Sequence, residues 1–389
     1  MIYRATGDYT PLAPHNVRLI FIVQILLLAL SCLPLSYSIR RLTESRATSL
    51  AVTALWAFHS AAGYASVRLA TEALAATLIC LLVYCLVRAE QSLQPRWFMA
   101  EGLVLIVLSL LRPSFSLMPI PLALAQLFTW WHMRARAPKR DGFILLACVL
   151  VLPMLTPVAW AWRNQVSEDQ SYYCRLSTFG LWAYSIEGAL DNYQGRPPAF
   201  KSYHQEFQAL LPQTTPAQMD QLYRQRIWQR ITTAPWPIAR FFAVNSVRLA
   251  LPHSPTQGYK PALQLRFWTT SSWRERMAYL SSFANTMVEF LTTITCLLFI
   301  GLGLSRRFRA TLTLLSAAFM TSSIALMGYW WLAHANANAG WRFLLPLQPF
   351  LFAAAATSTF IHRHYLLRRA TVLASGGAGF VSPSTQTNP

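Results

Sequence analysis

The run RLIFIVQILLLALSCLPLSYSIRRL, residues 18–42, decides the architecture. Between Arg18 and the pair Arg40 and Arg41 it carries roughly 20 residues without a charge, the length at which an α-helix crosses the hydrocarbon of a bilayer. Working outward, similar apolar blocks recur at about 48–66, 70–88, 98–112, 115–132, 142–162, 285–303, 311–331 and 342–361. The pattern predicts an all-α polytopic membrane protein with about nine transmembrane helices. The second block holds His59 and several small residues and reads as partly wet or re-entrant.

The 389-residue chain is 54% hydrophobic and 12% charged, with a formal net charge of +19. So basic a protein could bind nucleic acid, but its arginines and lysines sit in short loops between apolar blocks, which is a topology signal. One set of alternate loops holds Arg40, Arg41 and Arg46; Arg88 and Arg96; Arg134, Arg136, Lys139 and Arg140; Arg306, Arg307 and Arg309; and Arg363, Arg368 and Arg369. Positive charge is retained in the cytoplasm, so these loops are cytoplasmic and the chain is a multi-pass protein of the cell (inner) membrane. The opposite loops, 67–69, 113–114 and 332–341, are short and almost uncharged. The same count puts residues 1–17 outside. The first apolar block fits a signal peptide poorly, because it ends in SYSIRR rather than a small-residue cleavage site, and LSCLP does not fit a lipoprotein box.

Four regions follow: a bundle of about six helices over 1–162, an extracytoplasmic, mostly helical domain over 163–284, about three helices over 285–361, and a cytoplasmic basic segment with a disordered tail over 362–389. In the external segment, LYRQRIWQRI (222–231) and ARFFAVNSVRLAL (239–251) mix basic and apolar residues at helical spacing. That pattern suits an interfacial helix, or equally a helix packed on its own domain. The tail ASGGAGFVSPSTQTNP (374–389) lacks the apolar content to fold. Five of the six cysteines lie in apolar blocks and behave as small hydrophobes, and Cys174 stands alone in the polar region.

A charge inside a spanning segment costs roughly 2.5–3.5 kcal/mol on insertion scales, so charges at the outer helix ends mark candidate sites. Arg68 and Glu72 lie in ASVRLATEAL, Arg112 interrupts LLRPSF, Arg163 follows Trp162, and Arg342 follows Trp341. Each has a plain structural reading. Arg68 and Glu72 can form an i,i+4 pair worth about 0.3–0.5 kcal/mol if exposed. Arg163 and Arg342 can anchor at the interface beside their tryptophans, and Arg112 can cap carbonyls freed before Pro113. Their coincidence on the outer face, where the charge bias disfavours arginine, points instead to a bound anion. A lipid phosphate fits both the depth and the planar guanidinium. His59, His334, His362 and His364 form no cluster with carboxylates, so no metal site and no other cofactor is expected from the residues.

Four stretches in this order resemble the GT-C class of membrane glycosyltransferases, in particular glycosyltransferase family 39 with its protein mannosyltransferase and aminoarabinose transferase relatives. They are residues 18–42 with the following ASVRLATEAL; EGLVLIVLSLLRPSF (101–115); AWRNQVSEDQSYYCRLSTFGLWAYSIEGA (161–189), similar to a Trp-x-x-Arg-Asn junction followed by a Ser-Thr-x-x-Gly stretch; and AGWRFLLPLQPFLFAAAA (339–356), similar to an Arg-Tyr-x-x-Pro-x-x-Pro helix with Phe343 in the tyrosine place. The resemblance implies transfer of a sugar from a polyprenyl-phosphate carrier to an envelope glycan, lipid or protein at the outer face. Membrane lipid, the lipid-linked donor and the acceptor would then be the partners, and nucleic acid would not be one. Arg68, Arg112, Arg163 and Arg342 would hold the donor phosphate, and Trp162 and Asn164 would mark the junction to the external domain. The need for a divalent metal is left open.

Members of this class carry their general base on a first external loop that follows an additional N-terminal helix, and GDYTPLAPHNVRLI resembles the end of that region. The resemblance therefore implies a chain that is N-terminally truncated or inactive. Asp8 and Glu72 are the acidic candidates within it, and the base itself is unassigned. A transporter or flippase of lipid-linked glycans, or a non-catalytic membrane partner, would share the many helices and the basic face.

Overall fold

The computed structural model describes residues 14–59, 71–92, 94–132, 143–168, 177–196, 199–250, 272–273, 276–277, 319–326 and 348–358. Among these residues all regular structure is helical. Helix α1 (Pro14–Thr43) opens on a proline, whose missing N–H is no loss in a first turn, and closes with Arg40 and Arg41 at the negative end of its dipole. Helix α2 is Arg46–Ala57, α3 is Glu72–Ser92, α4 is Pro95–Leu111 and α5 is Pro119–His132. A π-helical turn, Leu146–Val151, leads into α6, Leu152–Glu168.

Among the described residues three helices are long and apolar enough to cross a membrane: Val17–Thr43, Glu72–Ser92 and Phe143–Val166. Along α1, Ile22, Leu26, Leu30 and Leu33 form an exposed apolar stripe, which a water-facing helix would not carry. On its other side Leu35, Ile39 and Leu42 are buried. Helix α3 is the central element. Its Ala75, Ala76, Ile79, Leu82, Val83 and Leu86 are wholly buried, packed by α1 on one side and α4 on the other.

The second apolar block departs from a full crossing. Ser45 caps α2 by accepting from the Thr48 N–H at 3.2 Å, but the helix stops at Ala57 after 12 residues. At about 1.5 Å per residue that is too short to span alone, and residues 60–70 lie outside the described set. Polar ties hold α2 to α1: Trp56 Nε1 donates to Ser31 Oγ at 2.9 Å, and Ser49 Oγ donates to the Ser36 carbonyl at 2.7 Å. His59, by α2's end, lies 5.9 Å from the rings of both Trp56 and Phe352. Of the last three blocks only helical stretches at 319–326 and 348–358 are described. Phe319, Phe350 and Ala353 from these join the same core as α1–α5.

Helix α4 meets the π-helical turn backbone to backbone. A Cβ on Gly102 would fall 2.1 Å from the Cys148 carbonyl oxygen, so only glycine permits this approach.

A second, separate core is built by α7 (Ser177–Gly180), a π-helical turn (Leu181–Glu187), α8 (Gly188–Tyr193), α9 (Phe200–Leu210), α10 (Pro216–Thr233) and α11 (Pro235–Ala250). Its centre is aromatic: Phe179, Trp182, Phe207 and Tyr223 lie with ring centroids 4.5–6.2 Å apart. A capping box starts α10, with Thr215 N–H donating to Gln218 Oε1 at 2.8 Å and Gln218 N–H to Thr215 Oγ1 at 3.3 Å. Met219, Tyr223 and Ile227, four residues apart, bury one face of this helix in the core. The stretch LYRQRIWQRI thus packs on its own unit, while Trp228 and Ile231 stay exposed on another side. Buried carboxylates stitch the helices together. Glu187 accepts from Trp182 Nε1 at 3.1 Å and Arg230 Nε at 2.8 Å, and Asp191 accepts from the Ala199 N–H at 3.1 Å and the Tyr203 hydroxyl at 2.6 Å.

Candidate functional site

Pro113 disfavours a helical conformation for the residue before it, and Arg112 accordingly leaves α4 extended, at φ −149° and ψ 128°. Its N–H still closes the helix on the Leu108 carbonyl at 3.0 Å, and its own carbonyl accepts from Phe115 at 3.0 Å within the 3-10 turn Pro113–Phe115. The chain reverses there, over a floor of buried Leu108, Phe115 and Met118.

This reversal brings Arg112 to the start of α3. Glu72, the first residue of that helix, sits where the helix dipole favours a carboxylate. Arg112 Nη1 lies 3.5 Å from Glu72 Oε1, and the two side chains are only 16% and 9% exposed. Burying such a pair gains little in itself, because desolvation offsets the attraction, but removing one partner costs about 3–5 kcal/mol. Glu72 Oε2 is also buried, and among the described residues it accepts no hydrogen bond. A guanidinium presents five donors in a planar fork, so an arginine oriented by a carboxylate on one side can share its fork with a second oxyanion.

Arg163 sits elsewhere, on α6. It is exposed, stacks over Trp160 at 5.2 Å and donates from Nη1 to Asn164 Oδ1 at 2.9 Å. Trp162 beside it is 70% exposed, whereas Asn164 is buried. This is the surroundings of an interface anchor. Arg68, Arg342 and Asp8 lie outside the described residues, as does Cys174. Of the expected site, the structure joins Glu72 to Arg112 and puts Arg163 with Trp160 and Asn164.

Sequence reading paired Glu72 with Arg68, one helical turn away. Arg68 lies outside the described residues; among those described the partner of Glu72 is Arg112, 40 positions along the chain, and the available signal was the antiparallel geometry of two neighbouring apolar blocks. A second buried polar pair was missed altogether. Gln126 Nε2 on α5 reaches both carboxylate oxygens of Glu101 on α4 at 2.9 Å, with both residues at 1% exposure or less. Its signal was a lone Glu and a lone Gln, each inside an apolar block. Among the described residues no group of three or more His, Cys, Asp or Glu gathers as metal ligands.

Residues 9–162 match the family model described as dolichyl-phosphate-mannose-protein mannosyltransferase. The match takes in α1 through most of α6 and therefore both Glu72 and Arg112, and it bears out the likeness to GT-C enzymes of the family 39 type over that part of the chain. The late Arg342 motif lies past the matched residues. No curated protein matches the chain significantly.

Proposed function

We propose that the chain is a GT-C-type membrane glycosyltransferase that moves a sugar from a polyprenyl-phosphate carrier to an envelope glycan, lipid or protein acceptor at the extracytoplasmic face. The observation that carries this reading is the buried Arg112–Glu72 pair, set at one end of the bundle within the family-matched residues. In such a transfer the acceptor oxygen bonds to the anomeric carbon as the bond from that carbon to the phosphate oxygen breaks. The leaving phosphate gathers negative charge, and a fixed guanidinium stabilises it without a general acid. Arg112 fills this role, with Arg68 and Arg342 as further phosphate ligands, while Arg163, stacked on Trp160 and bonded to Asn164, anchors α6 at the interface. Glu72, with Oε1 facing Arg112, acts as a positioning residue for that guanidinium. The acceptor proton then goes to a base other than Glu72, with Asp8 the remaining acidic candidate.

The proposed organisation places the 1–162 and 285–361 helices in the membrane, about nine in all, with 163–284 outside and the C-terminus inside. The independent aromatic core within 177–242 supports a separate folded unit there. Of the alternatives, a transporter needs ionisable groups lining a path, and the buried Glu101 is hydrogen-bonded within the bundle by Gln126.

The test is incorporation of labelled sugar from a polyprenyl-phosphate donor by membranes carrying the chain, with any coding sequence upstream of Met1 restored. Transfer that falls on replacing Arg112 supports the reading. Undiminished transfer after replacing Arg68, Arg112 and Arg342 together sinks it.

A further inference from the structure

The far end of the same helix pair carries a second basic cluster that the transfer reading does not use. Arg88 Nη1 donates to the Tyr37 hydroxyl oxygen at 2.6 Å, and Arg41 Nε donates to the same atom at 3.2 Å. The Arg88 guanidinium lies 4.8 Å from the Trp97 ring centroid and 5.6 Å from that of Tyr37. Arg96 covers Trp97 at 5.5 Å. Tyr84 closes the cage edge-on, 5.2 Å from Tyr37 and 5.5 Å from Trp97.

This cage is built with more donors than acceptors. Arg88 Nε and Trp97 Nε1 are both buried and have no hydrogen-bond acceptor among the described residues. The Tyr37 oxygen already accepts from two arginines, so its own proton points to a further acceptor. No carboxylate bridges Arg41, Arg88 or Arg96 among the described residues. Of the acids nearby in sequence, Glu44 is exposed, and Glu90, two residues on from Arg88, projects from another side of α3. A buried donor left unmade is unfavourable. Two such donors, Arg88 Nε and Trp97 Nε1, beside the Tyr37 hydroxyl and among three arginines, describe an anion site.

Depth identifies the anion. Arg88 sits one turn inside the end of α3, and Glu72 opens the same helix about 24 Å away at 1.5 Å per residue. A hydrocarbon core is about 30 Å thick, so the two clusters lie near opposite headgroup layers. The arginine count assigns this end to the cytoplasm, where the leaflet is anionic and attracts basic side chains. Arginine flanked by Trp and Tyr rings is suited to a lipid headgroup at that level.

We propose that Tyr37, Arg41, Arg88 and Trp97 bind the phosphate of an anionic membrane phospholipid at the bundle end opposite Arg112 and Glu72. The site requires only that the bundle be membrane-embedded, so it stands or falls apart from the transferase reading. The test uses the full chain in nanodiscs of phosphatidylcholine, with or without phosphatidylglycerol, and in neutral discs with inorganic phosphate. Retained lipid is read by native mass spectrometry and stability by thermal melting. Phosphatidylglycerol is expected to stay bound and raise Tm, and Arg88→Gln is expected to weaken retention about ten-fold, as for a lost charge-assisted hydrogen bond. Arg41→Gln, at an exposed position, and Trp97→Phe give the same direction if Arg88→Gln does not fold, while Arg224→Gln in the second core leaves retention unchanged. Equal retention by the native chain and the cluster variants overturns the proposal. So does an equal Tm shift from inorganic phosphate in neutral discs, which assigns a soluble anion instead.

Discussion

Arg112 reaches Glu72 from the end of α4 to the start of α3, Nη1 to Oε1 at 3.5 Å, so one ion pair closes an antiparallel helix pair at its rim. Arg88 and Trp97 close the same pair at its other end, 4.8 Å apart, as a cation over a ring. Among the described residues one end pairs its arginine with a carboxylate, and the arginines at the other end have none.

Breaking the rim pair separates orientation from stability. Arg112→Gln leaves a buried carboxylate without its partner and is expected to cost about 3–5 kcal/mol, while replacing both residues by leucine costs much less. Transfer is expected to fall on the order of 10²–10³-fold in Arg112→Gln, as when a fixed charge at a developing oxyanion is lost. Melting in detergent and labelled-sugar incorporation measure the two effects. A double variant as unstable as the single one would refute the pairing.

Gly102→Ala tests the close approach of α4 to the π-helical turn. Alanine favours an isolated helix by about 1 kcal/mol over glycine, yet here its Cβ would meet the Cys148 carbonyl oxygen at 2.1 Å. The clash is expected to outweigh the propensity gain, with a net loss of about 1–3 kcal/mol. A lower melting temperature and a smaller monodisperse fraction on size exclusion are the readouts.

Glu187→Ala removes the acceptor shared by Trp182 Nε1 and Arg230 Nε in the second core. The indole N–H is then buried without a partner, at about 1–3 kcal/mol. Limited proteolysis is expected to cut faster within 177–242 while the bundle fragment survives. Uniform acceleration along the whole chain would show that the two cores are not separate.

Alkali should loosen the second core. Burial is the largest cause of a raised Tyr203 pKa, joined by the Asp191 hydrogen bond and charge, and burial with nearby Glu206 pushes Tyr223 up to about 12. Both folded values exceed the ordinary 10.0, so between the two values the folded state holds protons that the unfolded state has released. The stability contribution is therefore complete below pH 10 and declines as pH climbs towards the folded values. Tyrosinate absorbance followed with circular dichroism should show ionisation delayed until unfolding. Tyr203→Phe removes its share of the pH dependence along with the bond to Asp191.

Hydropathy carried the all-helical character with membrane-length apolar helices, because a bilayer imposes segment length locally along the chain. Helix α1, with its uncharged run bounded by Arg18 and Arg40, could be read to within a few residues. The same local logic exposed Glu72 and Arg112 as costly charges at helix ends, but it offered Glu72 its neighbour in sequence. Only the packing of α3 against α4 decided that Glu72 meets Arg112, that Arg88 slots between Tyr37 and Trp97, and that Glu101 is satisfied by Gln126. Those pairings depend on how two helices are registered and rotated against each other. That register is set by tight contacts such as Gly102 on Cys148, which no periodicity in a single segment records. In the polar stretch, spacing alone left α10 free to lie on a membrane or on protein, and the burial of Met219, Tyr223 and Ile227 in an aromatic core settled one face of it.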